Sequence, residues 1–261
     1  MKHEIIMQRI KSYYENRSKT YLTRRIPVIC RIDGKAFHTY TKNLNKPFDE
    51  GLMEDMNNTA IYLCENIQGS KCAYVQSDEI SILITDYDTL TTDAWFNYEV
   101  QKMTSISASL ATGIFNQLRY KRTIYQDSGF ESDQFGNGGA YNVVICDLDI
   151  PLANFDSRVA NYPKEEVANY FLARQKDTVK NSIGSVAQSL YSHKELENKN
   201  SNDKQEMIFQ KGINWNDYDN GIKRGRFIVK NTYTINNSIR TKWEVTETPL
   251  TFNHKHFEQW L

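Results

Sequence analysis

The order of β-rich and helical runs predicts an α+β fold, a β-α-β-β-α-β core followed by helical and hairpin additions. Three observations carry that prediction. Four short β-rich runs precede residue 150, two long helical patterns separate them, and a late pair of β-rich runs flanks Asn236-Asn237-Ser238. Ile5, Ile6, Ile10 and Tyr13 recur at helical spacing and predict a helix before the core. Pro27 to Ile32 is the first β-run and stops at the turn dipeptide Asp33-Gly34. Asp49-Glu50 opens a helix whose apolar face holds Leu52, Met53, Met56, Ala60, Leu63 and Cys64. Lys71–Val75 and Ile80–Thr85 form the next two β-runs, with the acidic tip Gln76-Ser77-Asp78-Glu79 between them.

A second long helix is expected from Trp95 to Leu118, with Phe96, Val100, Met103, Leu110 and Ile114 as its buried stripe. Tyr120 to Ala140, polar and glycine-containing, reads as a mobile loop, and Asn142–Cys146 as the fourth β-run. That order is the split β-α-β arrangement of ferredoxin-like folds. Polymerase palm domains share it, an association at the level of fold only. Pro163 opens a further helix through about Tyr191, with an unusually polar middle at Arg174, Gln175, Asp177, Lys180 and Asn181. Ser192–Gln205 reads as a loop, and Arg226–Ile235 with Ile239–Thr246 as a hairpin. The expected division is residues 1–150 for a palm-like core with its N-terminal helix. Residues 151–261 then form an extension packed on it.

The 261 residues carry 32 Lys+Arg against 32 Asp+Glu, a formal net charge of +0. With 39% hydrophobic and 25% charged residues, the composition excludes a disordered tail, a collagen-like fibre and a supercharged basic arm. No stretch approaches the ~18–20 uninterrupted apolar residues of a membrane span. Met1-Lys2-His3-Glu4-Ile5 has no signal-peptide core, so a cytoplasmic protein with no membrane partner is expected. Cys30, Cys64, Cys72 and Cys146 form no C-x-x-C pair, which predicts buried thiols rather than a zinc site.

Two groups of residues suggest chemistry. If the first two β-runs are neighbours, Asp33 at the end of one and Asp78-Glu79 after the other converge at one sheet edge. Converging hard oxygen ligands suit Mg²⁺, which takes one or two carboxylates plus substrate phosphates. Two such ions can serve phosphoryl transfer. Taken singly, Asp33-Gly34 and Ser77-Asp78 are ordinary turn formers. Lys35, His38, Lys46 and Lys102 could meet triphosphate oxygens, or could be solvated surface.

These residues carry a resemblance. Arg31-Ile32-Asp33-Gly34-Lys35-Ala36-Phe37-His38, followed by Lys46-Pro47, resembles the R-I/L-D-G-R/K-x-F-H…K-P motif of the tRNA-His guanylyltransferase family. Tyr74-Val75-Gln76-Ser77-Asp78-Glu79-Ile80-Ser81 is similar to that family's Y-x-Q-S-D-E-x-S hairpin. Gln101-Lys102-Met103-Thr104-Ser105 and Phe155-Asp156-Ser157-Arg158-Val159 resemble its next two segments. The match runs in order from about Tyr21 to Arg226. Where eukaryotic members carry His-Ile-Asn-Asn-Leu-Tyr-Asn-Thr, this chain has Asp177-Thr178-Val179-Lys180-Asn181-Ser182-Ile183. That version is similar to the bacterial and archaeal-type relatives, which repair incomplete tRNA 5′ ends by template-directed 3′-to-5′ addition.

The resemblance implies a reverse-running, palm-type nucleotidyltransferase. An RNA 5′-monophosphate is activated with ATP or GTP, and the 3′-hydroxyl of an incoming nucleoside triphosphate attacks it. Carried over, Asp33 and Asp78 ligate two Mg²⁺ ions with the Gly34 carbonyl, and Glu79 assists. Asp33, Gly34, Lys35, Ala36, Phe37 and His38 hold the nucleotide together with Ser77 and Asp78. His38 and Lys46 help activation, and Lys102 takes triphosphate charge. The implied partners are tRNA, nucleoside triphosphates and, as a homotetramer, further copies of the chain. Arg119, Lys121, Arg122 and Lys223-Arg224-Gly225-Arg226 are tRNA-contact candidates by charge. Guanylyl addition restricted to tRNA-His is the competing activity. A cyclase is disfavoured because Gln76-Ser77-Asp78-Glu79 is not the G-G-D/E-E-F turn of diguanylate cyclases. A silent RNA-binding module is disfavoured because clustered acids with no metal repel one another.

Overall fold

Alternation along the strands decides how the sheet is covered. In β1 (Val28–Gly34), Val28, Cys30 and Ile32 face one way, while Ile29, Arg31 and Asp33 face the other. β2 (Ser70–Gln76) and β3 (Glu79–Ile84) repeat the pattern, with Ala73, Val75, Ile80, Ile82 and Ile84 on the first face. The first face is covered by α3 (Glu50–Asn66) and α4 (Val100–Ser128); a single turn, α2 (Phe37–Tyr40), follows β1. The second face carries α5 (Lys164–Leu190) and the C-terminal Phe252 and Phe257. The computed structural model describes residues 2–128, 151–235 and 238–261.

Three further strands complete the sheet. β4 (Phe155–Asn161) runs antiparallel to β1, and the hairpin β5 (Arg226–Ile235) and β6 (Ser238–Thr246) joins through β2. Among the described residues the antiparallel sheet has the order β4-β1-β3-β2-β5-β6. Three of its strands precede residue 150 and three follow it, so the sheet runs across that position. The sequence placed the second β-run beside β1. The observed neighbour is β3, because the two-residue turn Ser77-Asp78 folds the chain back between β1 and β2.

Several elements differ from expectation. On its other side β1 pairs with Phe155–Asn161, and the expected Asn142–Cys146 run, like Cys146, lies outside the described residues. α4 continues through Tyr120 to Ser128 where a loop was expected, and residues 129–140 of that loop lie outside the described residues. Its buried stripe is Met103, Ser107, Ala111 and Phe115; Phe96 is exposed, and Val100, Leu110 and Ile114 are half-buried. Ser192–Gln205 is largely helical: α6 (His193–Leu196) and α7 (Ser201–Gln210) each start with a reciprocal cap, Ser192 with Glu195 and Asn200 with Asp203. The first helix, α1 (Lys2–Tyr13), forms as expected, but Ile5, Ile6, Ile10 and Tyr13 face solvent. Cys30, Cys64 and Cys72 are free and buried, as their apolar surroundings predict. No helix among the described residues is long and apolar enough to cross a membrane.

α8 (Asn220–Arg224) leads into β5 through Gly225, and here glycine is required. Its φ is 77°, and a Cβ would lie 2.5 Å from the Tyr74 hydroxyl. That hydroxyl is buried, donates to the Arg224 carbonyl at 2.6 Å and lies 2.7 Å from the Thr178 hydroxyl. Gly225→Ala is therefore expected to cost about 2 kcal/mol or more in urea unfolding, combining backbone strain with a clash. An unchanged midpoint would contradict the close approach.

Candidate active site

The same alternation that builds the core gathers the charges. Arg31, Asp33, Gln76, Glu79 and Ser81 occupy the alternate positions and therefore share the α5 face of the sheet. Register sets Asp33 opposite Glu79 on one side and opposite Asp156 of β4 on the other. The Gly34 N–H donates to the Asp78 carbonyl at 3.1 Å, which ties the end of β1 to the hairpin turn. Ser77, in that turn, takes a positive φ of 45°. Asp33 and Asp78-Glu79 thus meet at one edge, as the sequence suggested.

Arg31 bridges this acid group, with Nη2 3.0 Å from Asp33 Oδ2 and Nε 3.2 Å from Glu79 Oε2. Arg174, from the polar middle of α5, reaches Glu79 at 3.3 Å and Asp177 at 2.8 Å. The Gln76 amide donates to Glu79 Oε1 at 3.0 Å, and Thr178 donates to Gln76 Oε1. Glu79 is thereby held by two guanidinium groups and an amide, and the hairpin is bolted to α5. Asp78 differs from its neighbours: among the described residues no Lys, Arg or His pairs with it. Burial, with the nearby charges of Asp33 and Glu79, holds its carboxyl above the usual carboxylate range.

A cleft of about 630 Å³ opens at this edge. Asp33, Lys46, Ser77, Asp78 and Glu79 line it, so five of the sequence-predicted residues converge there. Lys46 Nζ donates to the Thr41 carbonyl at 3.1 Å. Gly34, which ends β1, and Lys35, Ala36, Phe37 and His38 after it do not line the cleft. Lys35, Ala36 and His38 are exposed, and His38 bonds its neighbour Thr39. Phe37 is buried among Tyr40, Phe115 and Phe155, and a Cβ on Gly34 would collide with its ring. Lys102 stands apart. α4 runs so that Thr112 meets Phe155 near the Asp33 end, whereas Lys102 lies towards the start of β1, 3.8 Å from Glu99 and over Phe96.

The polar stretch of α5 has no evident role in the sequence alone. Arg174, Asp177, Thr178, Lys180 and Asn181 line the cleft, joined by Lys199 and Lys204 from the α7 region. The signal was the interruption of the apolar stripe in a long helix, but only the fold shows what that interruption faces. Arg119 and Arg122, candidates for RNA by charge, are instead held at 3.0 and 2.8 Å by the buried Asp55.

The donor chemistry fits a hard cation. Asp33 and Asp78 both line the cleft, and Asp78 has no basic partner among the described residues, so a cation there would relieve both burial and like-charge repulsion. Among the described residues no cluster of three His, Cys, Asp or Glu forms a ready metal cage. That is compatible with Mg²⁺, which keeps water and substrate phosphates among its ligands.

A family model described as tRNAHis guanylyltransferase matches residues 7–163, more than half of the chain. The chain belongs to the tRNA-His guanylyltransferase family. Its members are nucleotidyltransferases, and this chain is an enzyme of that class. It is similar to a bacterial tRNA(His) guanylyltransferase (Thg1)-like protein in complex with ATP, at 43% identity and a TM-score of 0.76, covering 94% of this chain and 93% of the other. The same coverage and identity, with a TM-score of 0.74, hold for such a bacterial protein in complex with GTP. A probable tRNA(His) guanylyltransferase of Drosophila melanogaster is 28% identical over 85% of this chain and 72% of its own length. The segments that carry the resemblance fall on β1 and the turn after it, the β2-β3 hairpin, α4 and β4.

Proposed function

We propose that this chain extends tRNA 5′ ends in the 3′-to-5′ direction, repairing truncated ends against the opposite strand. The observation that carries the reading is the cleft itself. It joins a pair of adjacent acids, one of them without a cationic partner, to a wall of basic and amide side chains from α5 and α7. Phosphoryl transfer needs positioning and charge neutralisation more than covalent chemistry, and that is what such a cleft can provide. The likeness to bacterial proteins in complex with ATP and with GTP supports nucleoside triphosphates as substrates.

In this reading the order β4-β1-β3-β2, with α3 and α4 on one face, serves as a palm-like, ferredoxin-like core. Asp33 and Asp78, with the Gly34 carbonyl, would hold two Mg²⁺ ions. Bound there, Mg²⁺ supplies charge neutralisation at the transferring phosphate. Glu79, gripped by Arg31 and Arg174, keeps the hairpin rigid so that the two aspartates stay in register. Lys46 takes phosphate charge at the mouth, and the segment from Lys35 to His38 helps to hold the nucleotide. The protein is cytoplasmic in this account. Assembly into a homotetramer would bury the exposed Ile5, Ile6, Ile10 and Tyr13 of α1.

The test supplies a tRNA lacking its first 5′ nucleotide, with Mg²⁺, ATP and all four nucleoside triphosphates. A lengthened 5′ end is expected for several tRNA species. Lengthening confined to tRNA-His would favour the competing guanylyltransferase reading, and no lengthening at all would contradict both.

A further inference from the structure

A buried cation in the cleft has no acid among the described residues to answer it. Arg226, the first residue of β5, is only 7% exposed and pairs across the sheet with Val75, three residues before Asp78. Its Nε donates to Asn57 Oδ1 of α3 at 2.6 Å, and Nη1 donates to the Gly221 carbonyl at 3.4 Å. Nη2 has no hydrogen-bond partner, and no carboxylate among the described residues pairs with the group. Arg226 nonetheless lines the cleft, beside Met53 and Ile222.

A guanidinium withdrawn from water without a counter-charge is costly, so buried arginines are ordinarily found with an anion. Here two nitrogens are spent on neutral oxygens that fix the plane of the fork, and the third, Nη2, is buried without a partner in a side chain that lines the cleft. Burial lowers the group to about 10, so it stays protonated at neutral pH. Gly221 contributes by its lack of a side chain, since a Cβ would stand 3.2 Å from Arg226 Cγ. The alternation of β5 puts Arg226 on the α3 face, whereas Asp33 and Glu79 lie on the α5 face. The two charge groups therefore reach the cleft from opposite sides of the sheet edge.

We infer that Arg226, oriented by Asn57, is a phosphate-binding subsite in the cleft, distinct from the Asp33–Asp78 pair, that takes one oxyanion. Its ligand is a phosphate group, either the outer part of a nucleoside polyphosphate or the 5′-terminal phosphate of an RNA. The inference rests on the reading of this cleft as a receptor for phosphates, and goes beyond it by assigning a second, metal-independent anchor. A planar fork with two prongs already fixed favours a single well-placed oxyanion over diffuse attraction.

Two measurements in EDTA test it without requiring catalysis. In crystals of the native protein soaked with tungstate, a phosphate mimic, an anomalous peak is expected within hydrogen-bonding distance of Arg226 Nη2, and its absence overturns the subsite. In solution, Arg226→Met, which keeps length and removes charge, is compared with the native chain on two ligand pairs. These are GTP against GMP, and a 5′-phosphorylated against a 5′-hydroxyl truncated tRNA. Loss of about tenfold in the first preference assigns the polyphosphate, and the same loss in the second assigns the RNA end. Retention of both preferences by the folded variant overturns the proposal. Should Arg226→Met fail to fold, the native crystals decide. A native chain that binds oxyanion through Arg226 but lengthens no tRNA would refute the proposed activity and leave the subsite standing.

Discussion

Asp78→Asn is expected to lower nucleotide addition about a thousandfold or more while making the metal-free protein more stable at neutral pH. The first half follows from its place in the proposed metal pair, because cation stabilisation of a transferring phosphate is worth several kcal/mol. The second half follows from its surroundings. Asp78 is partly buried beside Asp33 and Glu79, and burial first, then those charges, raise its carboxyl above the usual aspartate range. An acid raised on folding binds its proton more tightly in the folded state, so its ionised form weakens the fold. The penalty is present at pH 7 and is gone once pH falls below the unfolded value near 3.8. The stability advantage of Asn over Asp should therefore shrink on acidification, as read by urea unfolding in EDTA. Mg²⁺ should stabilise the native chain and leave the variant unmoved. A variant that is less stable than the native chain, or one that still extends tRNA, would remove Asp78 from the proposed pair.

Arg31→Met is expected to destabilise the metal-free protein and lower its activity together. The guanidinium lies between Asp33 and Glu79 at 3.0 and 3.2 Å, and its side chain is 27% exposed. Removing one partner of a fully buried pair costs more than the pair was worth, about 3–5 kcal/mol. The partial exposure of Arg31 and Asp33 screens this, and about 2 kcal/mol is the expected loss in metal-free buffer. Mg²⁺ should restore more stability to this variant than to the native chain, since it would answer the charge that Arg31 leaves behind. Activity should fall with it, because Asp33 loses the contact that aims its carboxylate. Equal unfolding curves for both chains in EDTA would contradict this role.

The acid edge was legible in the sequence because two local signals agreed. Asp33-Gly34 and Ser77-Asp78 each end an apolar β-run in the chain. Ser77-Asp78 forms the expected turn, whereas β1 runs on through Asp33-Gly34 and the chain turns one step later, at Lys35-Ala36. The β5-β6 hairpin and the Asp49 cap of α3 were legible for the same reason. β4 was not. Phe-Asp-Ser-Arg-Val-Ala-Asn alternates buried and exposed positions at the sheet's edge, with too few apolar residues to outweigh Asn142–Cys146 in the chain. α7 buries Ile208 alone, so its apolar period is faint and only the Asn200–Asp203 cap marks it. Lys102 illustrates a different limit. Sequence places it on the helix after the hairpin, but the distance to Asp33 depends on where along that helix it sits. Arg174 and Arg226 belong to segments whose roles arise only when α5 and β5 close on the hairpin.

The most direct measurement is the identity of the nucleotide that the native enzyme adds. A set of 5′-truncated tRNAs, none of them tRNA-His, would differ only in the base opposite the missing position. Each would be offered one nucleoside triphosphate at a time with Mg²⁺ and ATP. The account predicts that the added nucleotide is the complement of the opposing base in every member of the set, and that addition stops at the first offered mismatch. Addition of G whatever the opposing base, or no addition to any tRNA but tRNA-His, would contradict it.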